Sequence, residues 1–206
     1  MKAILIRLTA CVWLAHMLQA QAASTVELSI NGLITPSACA PALSEGGVYD
    51  LGKIAAKDLN SDRPTLLPAT SLQLAITCEA MTLLALEPRD NRLGSSYNDS
   101  PNSFGLGLTG NNAKLGFLLL TLDTALADGV EMIPIGSTAS SSWSPTSILS
   151  HHFLTAFAPK DVFAPVPVQQ LTAQLHVVPA LAPANTLPLS EEVPFEGSVT
   201  LTIKYL

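Results

Sequence analysis

The sequence contains few charged and few aromatic side chains, and after its first 22 residues no apolar run approaches the ~20 residues that a membrane-spanning helix needs. Charged residues make up 13% of the chain and aromatic residues 5%. Nucleic-acid binding needs a basic surface, whereas this chain has 10 basic and 16 acidic side chains. The composition argues against nucleic acid as a partner. Scarce charge beside abundant Thr, Ser, Pro and Leu is typical of a secreted β protein.

The sequence also lacks the motifs that mark common catalytic sites. It has no G-x-S-x-G, no H-E-x-x-H and no phosphate-binding loop. His151 and His152 are adjacent, and neighbours on a strand point to opposite faces, so we expect a loop or surface pair rather than a metal site. His176 lies in an alternating segment and is expected to be structural. We therefore expect no enzymatic activity, no cofactor and no metal.

The N-terminus has the layout of a secretory signal peptide. Lys2 and Arg7 precede an apolar stretch over 8–18, and Ala20-Gln21-Ala22 forms a small-x-small cleavage site. An uncleaved anchor is disfavoured because the apolar stretch is short. A lipoprotein signal ending at Cys11 is disfavoured because most of the apolar stretch follows it. We predict cleavage after residue 22 and export through the inner membrane.

Cleavage at that point leaves two cysteines, Cys39 and Cys78. In an oxidising compartment such a pair is expected to form a disulfide, which would stabilise the fold by about 4 kcal/mol. The alternative is a reactive thiol. It is disfavoured because the sequence has no C-x-x-C and no histidine near either cysteine.

Period-2 alternation of apolar and polar residues is the main structural signal. Together with short apolar runs it predicts strands over 26–34, 48–54, 72–78, 81–86, 168–178 and 199–205. The near-continuous apolar run 115–122 predicts a central strand buried on both faces. Polar, Ser-rich or Pro-rich segments predict connections over 91–102, 136–147 and 179–194, and a helical turn is expected within 57–64. Seven or more short strands indicate one β-sandwich, with its surplus length in the regions 91–112 and 136–167.

Both ends of the chain carry motifs that occur together in one family. Near the N-terminus, alternating apolar residues with one glycine precede the first cysteine; they are Val26, Leu28, Ile30, Gly32 and Ile34. Tyr49–Ile54 and Leu72–Cys78 are similar to that family's first two sandwich strands. Near the C-terminus Gly197 opens the last strand, whose apolar positions end on a penultimate tyrosine: Val199, Leu201, Ile203 and Tyr205. In this combination the chain resembles subunits of chaperone–usher fimbriae, and more closely an uncharacterised group of proteobacterial secreted proteins related to them.

The resemblance implies an all-β, immunoglobulin-like pilin sandwich that lacks its last strand. It implies a signal peptide at 1–22, a donor-strand extension at 23–36 and the sandwich at 37–206. Val26, Leu28, Ile30, Gly32 and Ile34 would donate a strand, and Gly197 with the alternating residues after it would form the acceptor and chaperone-facing strand. The implied partners are a periplasmic chaperone, an outer-membrane usher and neighbouring subunits. The implied location is the periplasm and then a fimbrium involved in cell adhesion at the cell surface.

Other interpretations of the same residues stay open. Residues 26–34 are also compatible with an ordinary first strand of a closed sandwich, in which Gly32 marks only a bulge. Tyr205 is compatible with a simple core or edge aromatic, and the extension with folding back into its own groove to give a soluble monomer. Two other functional classes remain: an adhesin that binds a host glycan or receptor through its long loops, and a stand-alone periplasmic or secreted binding protein.

Overall fold

The computed structural model describes residues 29–30, 38–139 and 142–206, and this part of the chain is all-β. The chain divides into a unit Met1–Ile34, of which Ser29 and Ile30 are described, and a unit Thr35–Leu206. The second unit contains the described strands: β1 Cys39–Leu43, β2 Thr65–Leu66, β3 Thr70–Thr82, β4 Leu84–Asp90, β5 Ser103–Gly105, β6 Gly116–Ala127, β7 Val130–Ser137, β8 Ser144–Pro145, β9 Leu154–Ala158, β10 Val168–Leu181 and β11 Val199–Tyr205.

Helical structure in the described residues is limited to short 3-10 segments at Ser44–Gly47, Ala56–Asp58 and Ala184–Thr186. The segment Ala56–Asp58 corresponds to the helical turn expected near this point. Among these described segments, none has the length and apolar character of a membrane-crossing helix.

The long strands form because their apolar residues alternate with polar ones. In β3 the side chains of Leu72, Leu74, Ile76 and Cys78 are buried, while those of Gln73 and Thr77 are exposed. This is the pattern of a strand with one face on the core. The strands predicted over 72–78, 168–178 and 199–205 are confirmed as parts of β3, β10 and β11.

The strands follow one another in a nearly closed path, β1-β3-β10-β6-β7-β9-β4-β11. β7 carries this path from one sheet into the other, because Val130–Met132 pair with β6 and Ile133–Ser137 pair with β9. β6 lies between β10 on one side and β5 and β7 on the other, which confirms the central strand predicted at 115–122. β1 and β11 are the two ends of this path.

The main core lies between the two sheets. β3, β6 and β10 face β4 and β9 across it, and its fully buried members include Leu74, Leu86, Leu122, Phe157 and Leu171. The half-buried residues Val199, Leu201 and Ile203 of β11 pack against its margin. The core is therefore closed over most of its surface and less well covered beside β11.

The disulfide predicted between Cys39 and Cys78 is confirmed, with an S–S distance of 2.05 Å. It joins two residues that are directly opposite each other in the β1–β3 ladder. The bond therefore fixes β1, a short edge strand of five residues, in one register on β3.

Several expectations about the middle of the chain were wrong. The segment 136–147, expected to be a loop, contains the end of β7 and all of β8, and β9 lies within the supposed surplus at 136–167. Pro134 and the surrounding Ser and Gly residues hid these strands. Pro134 lies where the pairing of β7 passes from β6 to β9, and β8 is only two residues long. The segment 81–86 spans the end of β3 and the start of β4 rather than one strand.

Candidate functional site: the gap between β1 and β11

The sheet path has one break in the described residues, between β1 and β11. Within the described ranges β1 pairs only with β3, and β11 pairs only with β4. Every other strand on the main path has a neighbour on each side. Backbone N–H and C=O groups on a free strand edge are a template for another strand, so this break is the first candidate for a binding site.

The free edge of β11 presents its backbone groups in a regular row. Asn91 N–H donates to Ser198 O at 3.0 Å, and Leu206 N–H donates to Leu83 O at 3.1 Å, so the even-numbered residues of β11 bond to β4. Antiparallel ladders alternate. The N–H and C=O groups of the odd-numbered residues, Val199, Leu201, Ile203 and Tyr205, therefore point into the gap. The side chains of Val199, Leu201 and Ile203 pack against the core, and they and Tyr205 are half-buried, whereas Thr200, Thr202 and Lys204 are exposed.

The facing edge of β1 has fewer backbone groups available to an added strand than β11 has. Glu79 N–H donates to Ala38 O at 3.1 Å, so by the same alternation Cys39, Pro41 and Leu43 direct their backbone groups away from β3. The N–H of Cys39 already donates to the hydroxyl of Tyr205 at 3.0 Å. Pro41 has no N–H. The two sides of the gap are therefore unequal.

A groove of about 1030 Å³ opens beside this gap. We call it the β11 groove. Its lining is mainly apolar and comes from three places: the sheet opposite (Leu72, Leu118, Leu120, Leu175, Val177), β11 and the segment before it (Leu187, Val193, Phe195, Val199, Leu201), and the end of β1 with the segment that follows it (Leu43, Tyr49, Leu51, Ile54). Ion pairs near it are exposed, as with Lys53 and Glu192 at 2.8 Å. The groove is suited to apolar side chains.

Gly197 lies at the rim of this groove, two residues before β11 begins at Val199. The expectation that Gly197 opens the strand itself was therefore wrong by two residues. A Cβ at this position would lie 2.8 Å from Leu106 Cδ2 and 3.5 Å from Gly105 O. A side chain at this position would require the Leu106 side chain to move.

The segment Tyr49–Ile54, expected to be the first sandwich strand, is not a strand. Asp50 accepts a hydrogen bond from Gly52 N–H at 2.8 Å, and Gly52 has φ +62°, so the backbone turns here. Tyr49, Leu51 and Ile54 are nevertheless half-buried and line the β11 groove. The apolar residues of this segment therefore contribute to the groove without pairing in a sheet.

The donor-strand residues lie almost wholly outside the described residues. Val26, Leu28, Gly32 and Ile34 are not described, nor is the predicted signal peptide at 1–22. Ile30 is described, is exposed and is not assigned to a strand. The role of the extension 23–36 therefore stays a prediction.

The histidine pair lies in a turn, as expected. The rings of His151 and His152 are 4.6 Å apart, and His151 also contacts the edge of Phe104 at 5.7 Å. Burial lowers the pKa of His151 below its usual value, the charge of His152 lowers it further, and Asp90 opposes both. In the described ranges, no three His, Cys, Asp or Glu residues are grouped to hold a metal ion.

His176 lies on β10 and is hydrogen-bonded through Nδ1 to Ser71 Oγ on β3, at 2.7 Å.

The sequence interpretation did not identify the β1 side of this site. The bond between Tyr205 and Cys39, the blocking effect of Pro41 and the apolar residues Leu187 and Phe195 were all missed. Pro41, two residues after the first cysteine, was a usable signal, because proline within a sheet is confined to edges and bulges.

Comparison with known proteins shows similarity along most of the chain. The family described as "Protein of unknown function (DUF1120)" matches residues 28–106. Protein GltF of Escherichia coli (strain K12) is 28% identical over 223 aligned positions, which cover 87% of this chain and 88% of GltF. Uncharacterized protein YhcF of the same organism is 23% identical over 226 positions, which cover 92% of this chain and 94% of YhcF. The expected similarity to uncharacterised proteobacterial proteins is confirmed.

Proposed function

We propose that this chain is a structural or minor subunit of a chaperone–usher surface fimbria, assembled by donor-strand exchange. In this proposal the β11 groove receives a strand from a periplasmic chaperone and later from the N-terminal extension of a neighbouring subunit. The observation that carries the proposal is the break between β1 and β11 in an otherwise continuous sheet path. The immunoglobulin-like pilin fold is part of the same proposal.

The chemistry of the gap supports strand addition over other forms of binding. An added strand would bond to the gap-facing N–H and C=O groups of β11, and every second side chain would enter the groove. Val199, Leu201 and Ile203 are half-buried where the opposite sheet has fully buried residues such as Leu74. They would gain cover from the added side chains, and burial of apolar surface is the main favourable term in such association.

The sequence of the extension matches what such a groove accepts. Residues 26–34 place apolar side chains at every second position, and the spacing of a strand would direct all of them to one face. A signal peptide at 1–22 would deliver the chain to the periplasm, where the chaperone and the usher act before the subunit reaches the cell surface. In this role the chain has no enzymatic activity, and contributes to adhesion as part of the fibre.

Expression with and without a chaperone tests the proposal. Residues 23–206 would be produced in the periplasm, alone and with a fimbrial chaperone from the same organism, and the soluble fraction separated by size-exclusion chromatography. We expect a stable one-to-one complex, and loss of most of the chain to degradation or aggregation when the chaperone is absent, because a long apolar edge is an aggregation hazard. The small soluble remainder is then the isolated subunit. A well-behaved monomer in both cases would contradict the proposal. The cavity volume would then direct the search to a soluble apolar ligand.

A single substitution tests the direction of donation. Gly32→Val adds a branched side chain at the one inward position of the extension that lacks one, where we expect a shallow part of the neighbouring subunit's groove. We expect polymerisation to be blocked while the urea unfolding curve of the sandwich stays unchanged. The matched control is Ser29→Val, at an outward position of the same segment, which should polymerise normally. Normal fibre assembly by the Gly32 variant would refute the assignment of 23–36 as the donor.

A further inference from the structure

One hydrogen bond connects the two free edges of the sheet. The hydroxyl of Tyr205, the last residue of β11, accepts from the backbone N–H of Cys39, the first residue of β1, at 3.0 Å. The two residues are 166 positions apart in the chain. The side chain of Tyr205 thus spans the gap at the end where the disulfide lies.

The N–H of Cys39 is one that an added strand would otherwise use. It points into the gap, and in a closed sheet its partner would be a carbonyl oxygen of the neighbouring strand. The tyrosine hydroxyl occupies that place. The disulfide to Cys78 holds Cys39 in register on β3, so the donor cannot shift along the edge to find another partner.

The rest of the β1 edge also limits what can pair with it. Of the three residues of β1 whose backbone groups face the gap, Cys39 is bonded to Tyr205 and Pro41 has no N–H. Leu43 is left with an N–H for a strand to use, and it lies at the other end of β1, where it lines the β11 groove. An added strand would therefore be held mainly by β11.

We infer that Tyr205 closes the disulfide end of the β11 groove. An added strand pairs with β11 from Val199 to Ile203, stops short of Tyr205, and leaves the bond between Tyr205 and Cys39 intact. The occupant is the extension 24–36 of a second copy of this chain, whose apolar side chains fill the groove beside Val199 and Leu201. The part about the added strand rests on the proposed function; the closed end itself concerns the isolated subunit.

Amide hydrogen exchange measured residue by residue by NMR tests both parts on residues 23–206. In the isolated subunit, Tyr205→Phe removes only the hydroxyl, and we expect exchange at Cys39 to accelerate about fivefold. The amide of Leu74, in the core of β3, should be unaffected. Tyr49→Phe is the matched control, because Tyr49 also uses its hydroxyl for one bond, donated to Pro68 O at 3.0 Å. This variant should leave exchange at Cys39 unchanged.

A synthetic peptide of residues 24–36 is then added as the probe. We expect the amides of Val199, Leu201 and Ile203 to gain protection, while those of Tyr205 and Cys39 stay as they were. New protection at Tyr205, or a change at Cys39, would show that the strand runs through this end and would overturn the inference.

Different results would refute the closed end at Tyr205 and the proposed strand addition. Equal exchange at Cys39 in the wild type and in Tyr205→Phe would refute the closed end, whatever the peptide does. A peptide that protects no amide of β11 would contradict the proposed function and the limit on the added strand. The comparison of the two tyrosine variants would still decide whether the hydroxyl closes the groove.

Discussion

A pair of matched leucine truncations tests whether the β11 groove is open in the isolated subunit. Leu201 lies on β11, faces the groove and is half-buried. Leu86 lies on the adjacent strand β4 and is fully buried in the main core, at 0% exposure. The same change, leucine to alanine, therefore removes the same atoms from an open site and from a closed one.

The expected costs differ because only one site leaves a cavity. Leu86→Ala should lower the free energy of unfolding by about 3 kcal/mol, within the range for fully buried leucines. Leu201 is only half-buried, so Leu201→Ala loses less of the free energy of transfer from water to the core. The truncation also widens a groove that is already open instead of creating an enclosed void. We expect about 1 kcal/mol for Leu201→Ala.

Filling the groove should change only one of these values. With a strand bound, Leu201 becomes covered, and its truncation should cost nearly as much as that of Leu86. By linkage, Leu201→Ala should weaken strand binding by the difference, about 1–2 kcal/mol, which is about 5–30-fold in affinity. Leu86→Ala should leave that affinity almost unchanged.

Urea unfolding with the disulfide intact measures the first pair of values. The fluorescence of Trp143, the one tryptophan after residue 22, reports the transition. Titration of each variant with the peptide 24–36 measures the second pair. If Leu201→Ala costs as much as Leu86→Ala without any peptide, the groove is already filled in the isolated chain, and the reasoning from the gap between β1 and β11 is refuted.

Two further predictions concern the sandwich itself. Gly116→Ala would place a Cβ 2.1 Å from Ala180 O in the β6–β10 ladder. It should cost at least about 2 kcal/mol of stability, whereas Gly110→Ala, with no atom within 4 Å of the added Cβ, should cost far less in the same urea titration. The second prediction is a loss of stability in acid: burial lowers the pKa of His151, so the unfolded chain binds that proton more readily. The urea midpoint should fall below about pH 6.5, and less so in His151→Gln; an equal fall in both proteins would rule out this cause.

The long strands were predictable because their signal is local. Alternation in β3, β10 and β11 follows from one face of each strand meeting the core, and the apolar run in β6 follows from its central place. The disulfide was predictable because only two cysteines, Cys39 and Cys78, follow the predicted signal peptide. These features depend on residue types and spacing, which are present in the sequence.

The short strands were not predictable in the same way. β1 has the sequence Cys-Ala-Pro-Ala-Leu, with no alternation, and is a strand because the disulfide and the β3 ladder hold it there. The segment 49–54 has the apolar pattern of a strand, but it pairs with no strand in the described part of the chain. Strand pairing depends on two segments that are distant in the sequence. The periodicity of one segment does not show whether a second segment lies beside it.

The sequence by itself determined that this is a disulfide-bonded β protein whose last strand has an apolar face. Only the tertiary structure decided that this strand lies at the end of the sheet path, that β1 faces it across an apolar groove, and that Tyr205 reaches Cys39 to close one end. The physical reason is that a free edge is defined by the neighbour it lacks. Cys39 and Tyr205 meet there because the other strands of the path pair with one another and leave β1 and β11 at its two ends.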